Sequence, residues 1–313
     1  MTGRIVLLVT SPRLPAGLLT AAAWDLVRTW PVFTGAEGDQ VTALRSAGVT
    51  VTVTGHGVDD LVEAARDGGT AVWLAGPAGD DSFARELGMR LAREPSLAEM
   101  ELMYGSWDPP GARLLDAVTV MDRLSSPGGD PWKRQQTHRS LAKYMIEEVY
   151  EAFDAIEADD YAALREELGD VLLQVVLHAR LAEDLPDGRA WSIDDVAGEL
   201  VAKLIRRNPH VFADATVESV DEITAQWEQI KAEEKSGRGP MDGIALAQPA
   251  LSLATKIQER AARAGLPDPG PTGDDLGERL WALVAAAVAA GEDAESALRR
   301  VAVARLAAHR DAG

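Results

Sequence analysis

The sequence predicts an α+β protein, with a small α/β region placed before a larger helical part. Short β-branched runs alternate with helix-like stretches near the start, and apolar residues recur with helical period from Leu114 onward. Between these patterns, residues 101–113 contain glycines and prolines that interrupt both periods. We therefore expect an α/β accessory region at 1–105, an all-α domain at 111–240 and a helical tail at 250–313.

Composition limits the classes of function. The 313 residues are 46% hydrophobic and 26% charged, which is typical of a folded globular protein. Fifty acidic against 31 basic residues give a net charge of -19, so general binding to nucleic acid or to anionic membranes is not expected. The chain has no cysteine, which excludes disulfides, thiolate zinc sites and iron-sulfur clusters. No run of 18 apolar residues and no convincing signal peptide occurs, and we expect a cytoplasmic protein.

Within the α/β region, alternation and helical periodicity predict three strands and three helices. The strands are expected at 5–10, 49–54 and 71–75, and the helices at 18–29, 58–66 and 81–93. Gly76 and Gly79 do not belong to a G-x-G-x-x-G sequence, so no glycine-rich cofactor loop is predicted.

The later pattern predicts an antiparallel bundle, because short loops with proline, glycine and aspartate join its helices. These helices are expected at 114–124, 136–157, 161–183, 193–207 and 219–235. The tail is expected to hold two more, at 250–264 and 277–309.

Two neighbouring helices of this bundle carry carboxylates beside their predicted buried stripes. On the helix at 136–157 the stripe comprises Leu141, Met145, Val149, Phe153 and Ile156, and it is flanked by Glu147, Glu148 and Glu151. On the helix at 161–183 the stripe comprises Leu164, Leu168, Val171, Leu172 and Val175, and it is flanked by Glu167 and Asp170. The carboxylates are expected to meet at the edge that the two helices share.

A set of oxygen donors without thiol or imidazole suits Mg²⁺, with Mn²⁺ as the alternative. A di-iron centre would require the Glu-x-x-His step, which none of the glutamates Glu147, Glu148, Glu151 and Glu167 begins. His178 is expected to be a helix-flank residue. The plain alternative is that the acidic residues are solvated helix faces, although like charges one turn apart repel each other.

Five motifs in the segment from Leu114 to Lys235 resemble the MazG family of all-α nucleoside triphosphate pyrophosphohydrolases. They are DPWKRQQTHRSL (130–141), EEVYE (147–151), ELGD (167–170), KLIRRNPHVF (203–212) and WEQIKAEEK (227–235). The resemblance implies Mg²⁺-dependent cleavage between the α- and β-phosphates, giving a nucleoside monophosphate and pyrophosphate, as in cleaning of the nucleotide pool. It also implies a homodimer.

The resemblance assigns roles to single residues. Glu148, Glu151, Glu167 and Asp170 would be the metal ligands, and Glu148 would also belong to the catalytic set. Glu147 would be a base for the attacking water, or else a structural partner of Lys143.

Cationic and aromatic residues of the later motifs would bind the substrate. Lys203, Arg206 and Arg207 can face its phosphates together, since they lie within one helical turn. Trp227 could stack on the base, with Lys231 one turn away on a phosphate.

Other readings of the helical part remain open. One is a metal-dependent nucleotide sensor with little turnover. Another is a narrower pyrophosphohydrolase, acting on dUTP or on phosphoribosyl-ATP.

The two ends of the chain carry weaker resemblances. LPAGLLTAAAWDLVR (14–28) and VWLAGPAGDDSFAREL (72–87) resemble parts of the tetrapyrrole methylase domain, which implies a reduced, non-catalytic remnant. Residues 274–281 echo residues 166–173, so 250–313 is expected to be a shortened second MazG repeat without catalytic activity.

Overall fold

A computed structural model describes residues 2–213, 219–234, 237, 239–267 and 273–311. The chain divides into two compact units, Met1–Glu199 and Leu200–Gly313, and the boundary falls inside one helix. None of the helices in the described ranges is at once long and apolar enough to span a bilayer.

The first unit begins with a five-stranded parallel sheet. Its strands are β1 (Gly3–Val9), β2 (Val32–Thr34), β3 (Val51–Val53), β4 (Thr70–Leu74) and β5 (Ala98–Tyr104), in the order β3-β2-β4-β1-β5. Four helices connect them: α1 (Ala21–Thr29), α2 (Asp39–Ser46), α3 (Gly57–Ala64) and α4 (Asp81–Arg93).

Helices cover both faces of this sheet, which explains why β1 and β4 are almost continuously apolar. Val6 and Leu8 of β1 pack on the side of α1 and α2, whereas Ile5 and Leu7 pack on the side of α3 and α4. Successive side chains of a strand point to opposite faces, so one apolar run supplies two cores.

Three elements of this region were not predicted. β2 and α2 follow one another between Pro31 and Ala47, and β2 has only three residues, too few for a clear alternation. The expected linker at 101–113 is wrong in its first part, because residues 101–104 belong to β5. β5 is an edge strand with exposed glutamates, including Glu101, whose Oε2 accepts a hydrogen bond from Arg4 Nε at 2.9 Å. Such an edge strand lacks the apolar run of a central one.

Helices follow β5 in the first unit. They are α5 (Arg113–Ser125), α6 (His138–Glu157), α7 (Tyr161–Glu183) and the first half of α8 (Ile193–Arg207). Met121, Leu141, Val176 and Leu177 form their buried core. Asp159, with φ 53°, reverses the chain between α6 and α7, so these two helices form a hairpin.

The predicted buried stripe of α6 is partly wrong. Val149 and Ile156 are 48% and 54% exposed, and Leu168 on α7 is 54% exposed. The buried residues of α6 are Leu141, Ala152 and Ala155. Alanines let two helices approach closely, so here Ala152 and Ala155 face the neighbouring helix, whereas Val149 and Ile156 face outward.

The second unit contains the rest of α8 and five further helices among the described residues. They are α9 (Pro209–Phe212), α10 (Val220–Glu234), α11 (Ala250–Arg263), α12 (Leu276–Ala290) and α13 (Ala294–Asp311). The predicted end of α10 at Lys235 lies outside the described residues. The single helix expected at 277–309 is wrong: it is α12 and α13, separated at Gly291, whose φ of 72° ends α12 in a left-handed cap.

The acidic echo near the start of α12 has a local structural role. Asp275 Oδ1 accepts a hydrogen bond from Glu278 N at 3.0 Å and so caps the helix. The corresponding acids of α7, Glu167 and Asp170, lie further inside their helix, which starts at Tyr161. A second MazG repeat at 250–313 stays a prediction.

Candidate functional site

Capping residues define where α6 and α7 begin. Thr137 and Ser140 exchange two hydrogen bonds in a capping box at the start of α6, with distances of 3.0 and 3.1 Å. Asp160 Oδ1 accepts from Ala162 N and Ala163 N, each at 3.0 Å, at the start of α7. These caps help to set the register in which the two helices meet.

The carboxylates continue the lines of buried positions on the two helices. On α6, Glu148 lies seven residues after Leu141 and four before Ala152, so all three share one face. On α7, Glu167 and Asp170 precede the buried Gln174 at helical spacings. The two acidic faces therefore point toward the contact between the helices.

Three glutamates meet there. One carboxylate oxygen from each of Glu148, Glu151 and Glu167 lies within 4.8 Å of the others. Glu148 and Glu167 are half-buried, and Glu151 is exposed. Asp170 is not part of this group of three, but its charge acts on both half-buried glutamates.

Burial and like charge both disfavour ionisation in this cluster. Loss of contact with water raises the pKa of Glu148, and the nearby Asp170, Glu151, Glu167 and Glu147 raise it further. Burial likewise raises the pKa of Glu167, followed by the charges of Glu151 and Asp170. A divalent cation would relieve this repulsion, and an all-carboxylate donor set fits Mg²⁺, Mn²⁺ or Ca²⁺.

The contact considered for Glu147 is not formed. Lys143 Nζ lies 4.5 Å from the ring centroid of Tyr144, and it makes no ion pair with Glu147 among the described residues. Glu147 is exposed on α6 next to Glu148. Its carboxylate is thus open to other partners.

Two of the predicted phosphate-binding residues share a partner within the second unit. Arg206 Nε lies 2.7 Å from Glu234 Oε1, and Arg207 Nη2 lies 2.6 Å from Glu234 Oε2. The hydrogen bonds from Arg207 and then Arg206 lower the pKa of Glu234 to about 2. A phosphate that binds these arginines would have to compete with this carboxylate.

In the same unit, two cationic side chains lie near the ring of Trp227. Lys231 Nζ lies 3.8 Å from the centroid of the indole, and Arg207 Cζ lies 6.0 Å from it. Trp227 is 36% exposed, so it is not a core residue. Lys203 is exposed on α8 and has no ion pair among the described residues.

A pair of histidines was missed by the sequence analysis, which expected His178 only as a flank residue. His138 Nδ1 and His178 Nδ1 lie 2.7 Å apart, and the two rings are stacked at 5.0 Å between centroids. Trp191 stacks on His138 with centroids 6.3 Å apart. The pair joins the start of α6 to α7 across 40 residues, so no local spacing could have indicated it.

A helical hairpin that gathers carboxylates in this way has a donor set that could hold a divalent cation. A family profile described as MazG nucleotide pyrophosphohydrolase domain matches residues 136–212, which include the whole hairpin. A Thermotoga maritima protein named nucleoside triphosphate pyrophosphohydrolase/pyrophosphatase MazG is 39% identical over 209 residues, which are 59% of this chain and 79% of that protein. The chain belongs to the MazG family.

Two further relatives match over different shares of their length. An uncharacterized 26.1 kDa protein in the blaB 3′ region of Streptomyces cacaoi is 50% identical over 224 residues, which are 71% of this chain and 90% of that protein. A nucleoside triphosphate pyrophosphohydrolase of Mycolicibacterium smegmatis is 52% identical over 161 residues, which are 50% of this chain. The matched segment spans about half of the mycobacterial protein, 48% of its length.

The histidine pair predicts a loss of stability on acidification. Burial lowers the pKa of His178 below 6.5, and the positive charge of His138 lowers it further. Below about pH 6.5 the unfolded chain binds a proton that the folded chain does not, so the free energy of unfolding decreases as the pH falls toward the folded pKa. Above pH 6.5 both states are neutral and this contribution is absent.

Denaturant unfolding followed by tryptophan fluorescence between pH 5 and pH 8 measures this effect. We expect His178→Gln to flatten the dependence on pH below about 6.5. The control is His56→Gln, which changes an exposed histidine and is expected to keep the slope of the wild type. An unchanged slope in His178→Gln would contradict the prediction.

Proposed function

We propose that this protein is a divalent-cation-dependent nucleoside triphosphate pyrophosphohydrolase, which converts a triphosphate and water to the monophosphate and pyrophosphate. The observation that carries the proposal is the cluster of Glu148, Glu151 and Glu167, whose ligand oxygens lie within 4.8 Å of one another. The names of the relatives from Thermotoga maritima and Mycolicibacterium smegmatis support the reaction.

We assign Glu148, Glu151, Glu167 and Asp170 as the residues that would hold Mg²⁺, with Mn²⁺ as an alternative. The acidic surroundings support this assignment, since a triphosphate is repelled by uncompensated carboxylates. A bound ion would supply the positive charge that lets the substrate approach and that draws electron density away from phosphorus.

The residues of the chain would then position the reactants and transfer the proton. Water adds to a phosphorus of the α–β anhydride and the bond from that phosphorus to the bridging oxygen breaks, which gives the monophosphate and pyrophosphate as the two products. Glu147 accepts the proton of the water as it attacks. Its exposure beside Glu148, and its lack of a contact with Lys143, support this role.

Lys203, Arg206, Arg207 and Lys231 would bind phosphates, and Trp227 would contact the base. Glu234 holds the two guanidinium groups in place when no phosphate is bound. Arginine offers a planar pair of donors to carboxylate and phosphate alike, so one anion can replace the other.

A second copy of the chain would cover an apolar face of α8. Leu200, Val201, Leu204 and Ile205 are between 46% and 53% exposed, and α8 has no buried residue. Adjacent exposed apolar residues of this size usually mark an interface. We therefore propose a homodimer, the commonest symmetric assembly.

The first prediction from this proposal concerns the carboxylate cluster. Purified protein with Mg²⁺ is expected to convert triphosphates to monophosphate and pyrophosphate, measured by anion-exchange chromatography over all common ribo- and deoxyribonucleotides, including dUTP. Glu148→Gln and Glu167→Gln should lose at least about a hundredfold of this activity, because each removes a ligand charge. Both should also weaken Mn²⁺ binding, measured by electron paramagnetic resonance.

Glu157→Gln provides the matched control, since it removes an exposed carboxylate from the end of the same helix. Its activity should stay close to that of the wild type. Diphosphate and inorganic phosphate as products would contradict the reaction. Metal-dependent binding of triphosphate without any turnover would favour the nucleotide-sensing alternative.

The second prediction concerns Glu234. If phosphate competes with this carboxylate, Glu234→Gln should lower KM by freeing Arg206 and Arg207. Arg207→Gln should raise KM about tenfold or more, the usual effect of losing a charge-assisted hydrogen bond. Steady-state kinetics separates KM from kcat, and the melting temperature is recorded in parallel.

Glu233→Gln is the control, because it removes the same charge from the neighbouring exposed position. It should leave KM nearly unchanged. A Glu234→Gln variant with lower melting temperature and unaltered KM would show that the arginine pair is structural only.

The third prediction concerns assembly. Light scattering coupled to size exclusion should give the wild-type protein the mass of a dimer. Leu204→Glu should shift it to a monomer by placing a charge on the exposed face of α8. Leu246→Glu changes an apolar residue that is 77% exposed elsewhere and should leave the mass unchanged. A monomeric wild type would contradict the proposed dimer.

A further inference from the structure

A cavity of about 430 Å³ lies at the carboxyl ends of the strands in the α/β region. Its walls come from the segments that follow β1, β2 and β4, together with the start of α2. Small-molecule sites in proteins commonly have volumes of a few hundred Å³. This cavity belongs to the first unit and uses none of the carboxylates on α6 and α7.

The position of the cavity in the sheet favours ligand binding. β1 and β4 are neighbours, and the chain leaves β1 for α1 on one face but leaves β4 for α4 on the other face. Their carboxyl ends therefore border a crevice where the strand order reverses. In open α/β sheets ligands bind at such a switch point.

The wall of the cavity includes the hydroxyl of a largely buried threonine. Thr34, the last residue of β2, is only 3% exposed and lines the cavity. Its backbone oxygen accepts a hydrogen bond from Thr54 N at 2.9 Å, but its side-chain hydroxyl has no partner within the described ranges. Because Thr34 lines the cavity, this hydroxyl can donate a hydrogen bond to a group inside the cavity or accept one from it.

The start of α2 adds further polar groups to the wall of the cavity. Gly38 precedes the helix and provides no side-chain cap, so the first backbone N–H groups of α2 remain available at the cavity. Asp39 opens the helix and has no ion pair among the described residues, whereas Glu37 is bound by Arg45 at 2.8 Å. Asp39 can accept hydrogen bonds from ligand hydroxyls.

The charge of the lining limits the class of ligand. None of the residues that line the cavity is lysine, arginine or histidine, whereas Glu37, Asp39 and Asp80 are acidic, so no side chain there would neutralise a phosphate group. Leu14, Val41 and Leu74 provide an apolar wall for an uncharged ring. In doubly wound folds an acidic side chain near the end of the second strand binds ribose hydroxyls. Asp39 is the first residue of α2, the helix that follows β2, and it lines the cavity.

We propose that this cavity binds an uncharged nucleoside. The base packs against the apolar wall, the hydroxyl of Thr34 makes a hydrogen bond to the ligand, and sugar hydroxyls donate to Asp39. This site is separate from the proposed triphosphate site and has the opposite preference for ligand charge. The inference does not depend on the proposed hydrolytic function.

Isothermal titration calorimetry on the full chain, without divalent metal, tests the proposal with adenosine, guanosine, cytidine and uridine in turn. At least one nucleoside is expected to bind with a stoichiometry of one per chain. Its 5′-triphosphate should bind at least about tenfold more weakly, because the lining is acidic.

Two variants assign the binding to the cavity. Thr34→Val removes the hydroxyl at nearly constant volume and should weaken binding about two- to tenfold, the usual effect of one hydrogen bond. Ala36→Trp adds bulk at an exposed lining position and should abolish binding. Thr52→Val makes the same change as Thr34→Val on the exposed side of β3, outside the cavity, and should bind as the wild type does.

Circular dichroism on each variant checks folding before titration. Failure of all four nucleosides to bind the folded wild type would overturn the proposal. Binding that survives in a folded Ala36→Trp variant but disappears in Glu148→Gln would also overturn it, since the nucleoside would then occupy the carboxylate site.

Discussion

The close contact between α6 and α7 is the constraint on which the candidate site depends. Ala152 and Ala155 are buried on the α6 side of this contact, and Gln174 and Leu177 are buried on the α7 side. The apolar packing holds Glu148 and Glu167 half-buried at the same interface, although their mutual repulsion raises both pKa values. Packing thus maintains an arrangement of charge that the carboxylates alone would disfavour, as is common at functional sites.

Most of the helical architecture could be predicted from periodicity, whereas the outward face of α6 could not. The bounds of α7 and α8 agree with those expected, because long amphipathic runs with clear caps leave little ambiguity. The burial of α6 was misjudged because hydrophobicity favours Val149 and Ile156, while the helix contact selects alanine for its size. Similarly, the break at Gly291 was missed within an alanine-rich run that has helical propensity on both sides.

In the candidate site as well, features set by spacing on one helix could be predicted, whereas contacts between residues far apart in the sequence could not. Spacing on single helices was enough to indicate which flank carries each glutamate, and the hairpin brings Glu148, Glu151 and Glu167 together. Ion pairs between helices were beyond such reasoning, since Arg206 and Arg207 meet Glu234 across more than 25 residues. The contacts of His138 with His178 and Trp191 were missed for the same reason.

Three parts of the chain differ in how they could accommodate a ligand despite the negative charge of the protein. With a net charge of -19, the protein as a whole repels anions. At the α6–α7 cluster, a polyanionic substrate would need a divalent cation to overcome this repulsion. On α8 and α10, the cations of Arg206 and Arg207 are kept in place by Glu234, whose low pKa keeps it ionised near neutral pH. In the α/β region the cavity at Thr34 has no cation in its lining, and an uncharged ligand avoids the repulsion altogether. The cationic side chains proposed to bind phosphates therefore lie on α8 and α10, whereas the lining of the cavity in the α/β region has none.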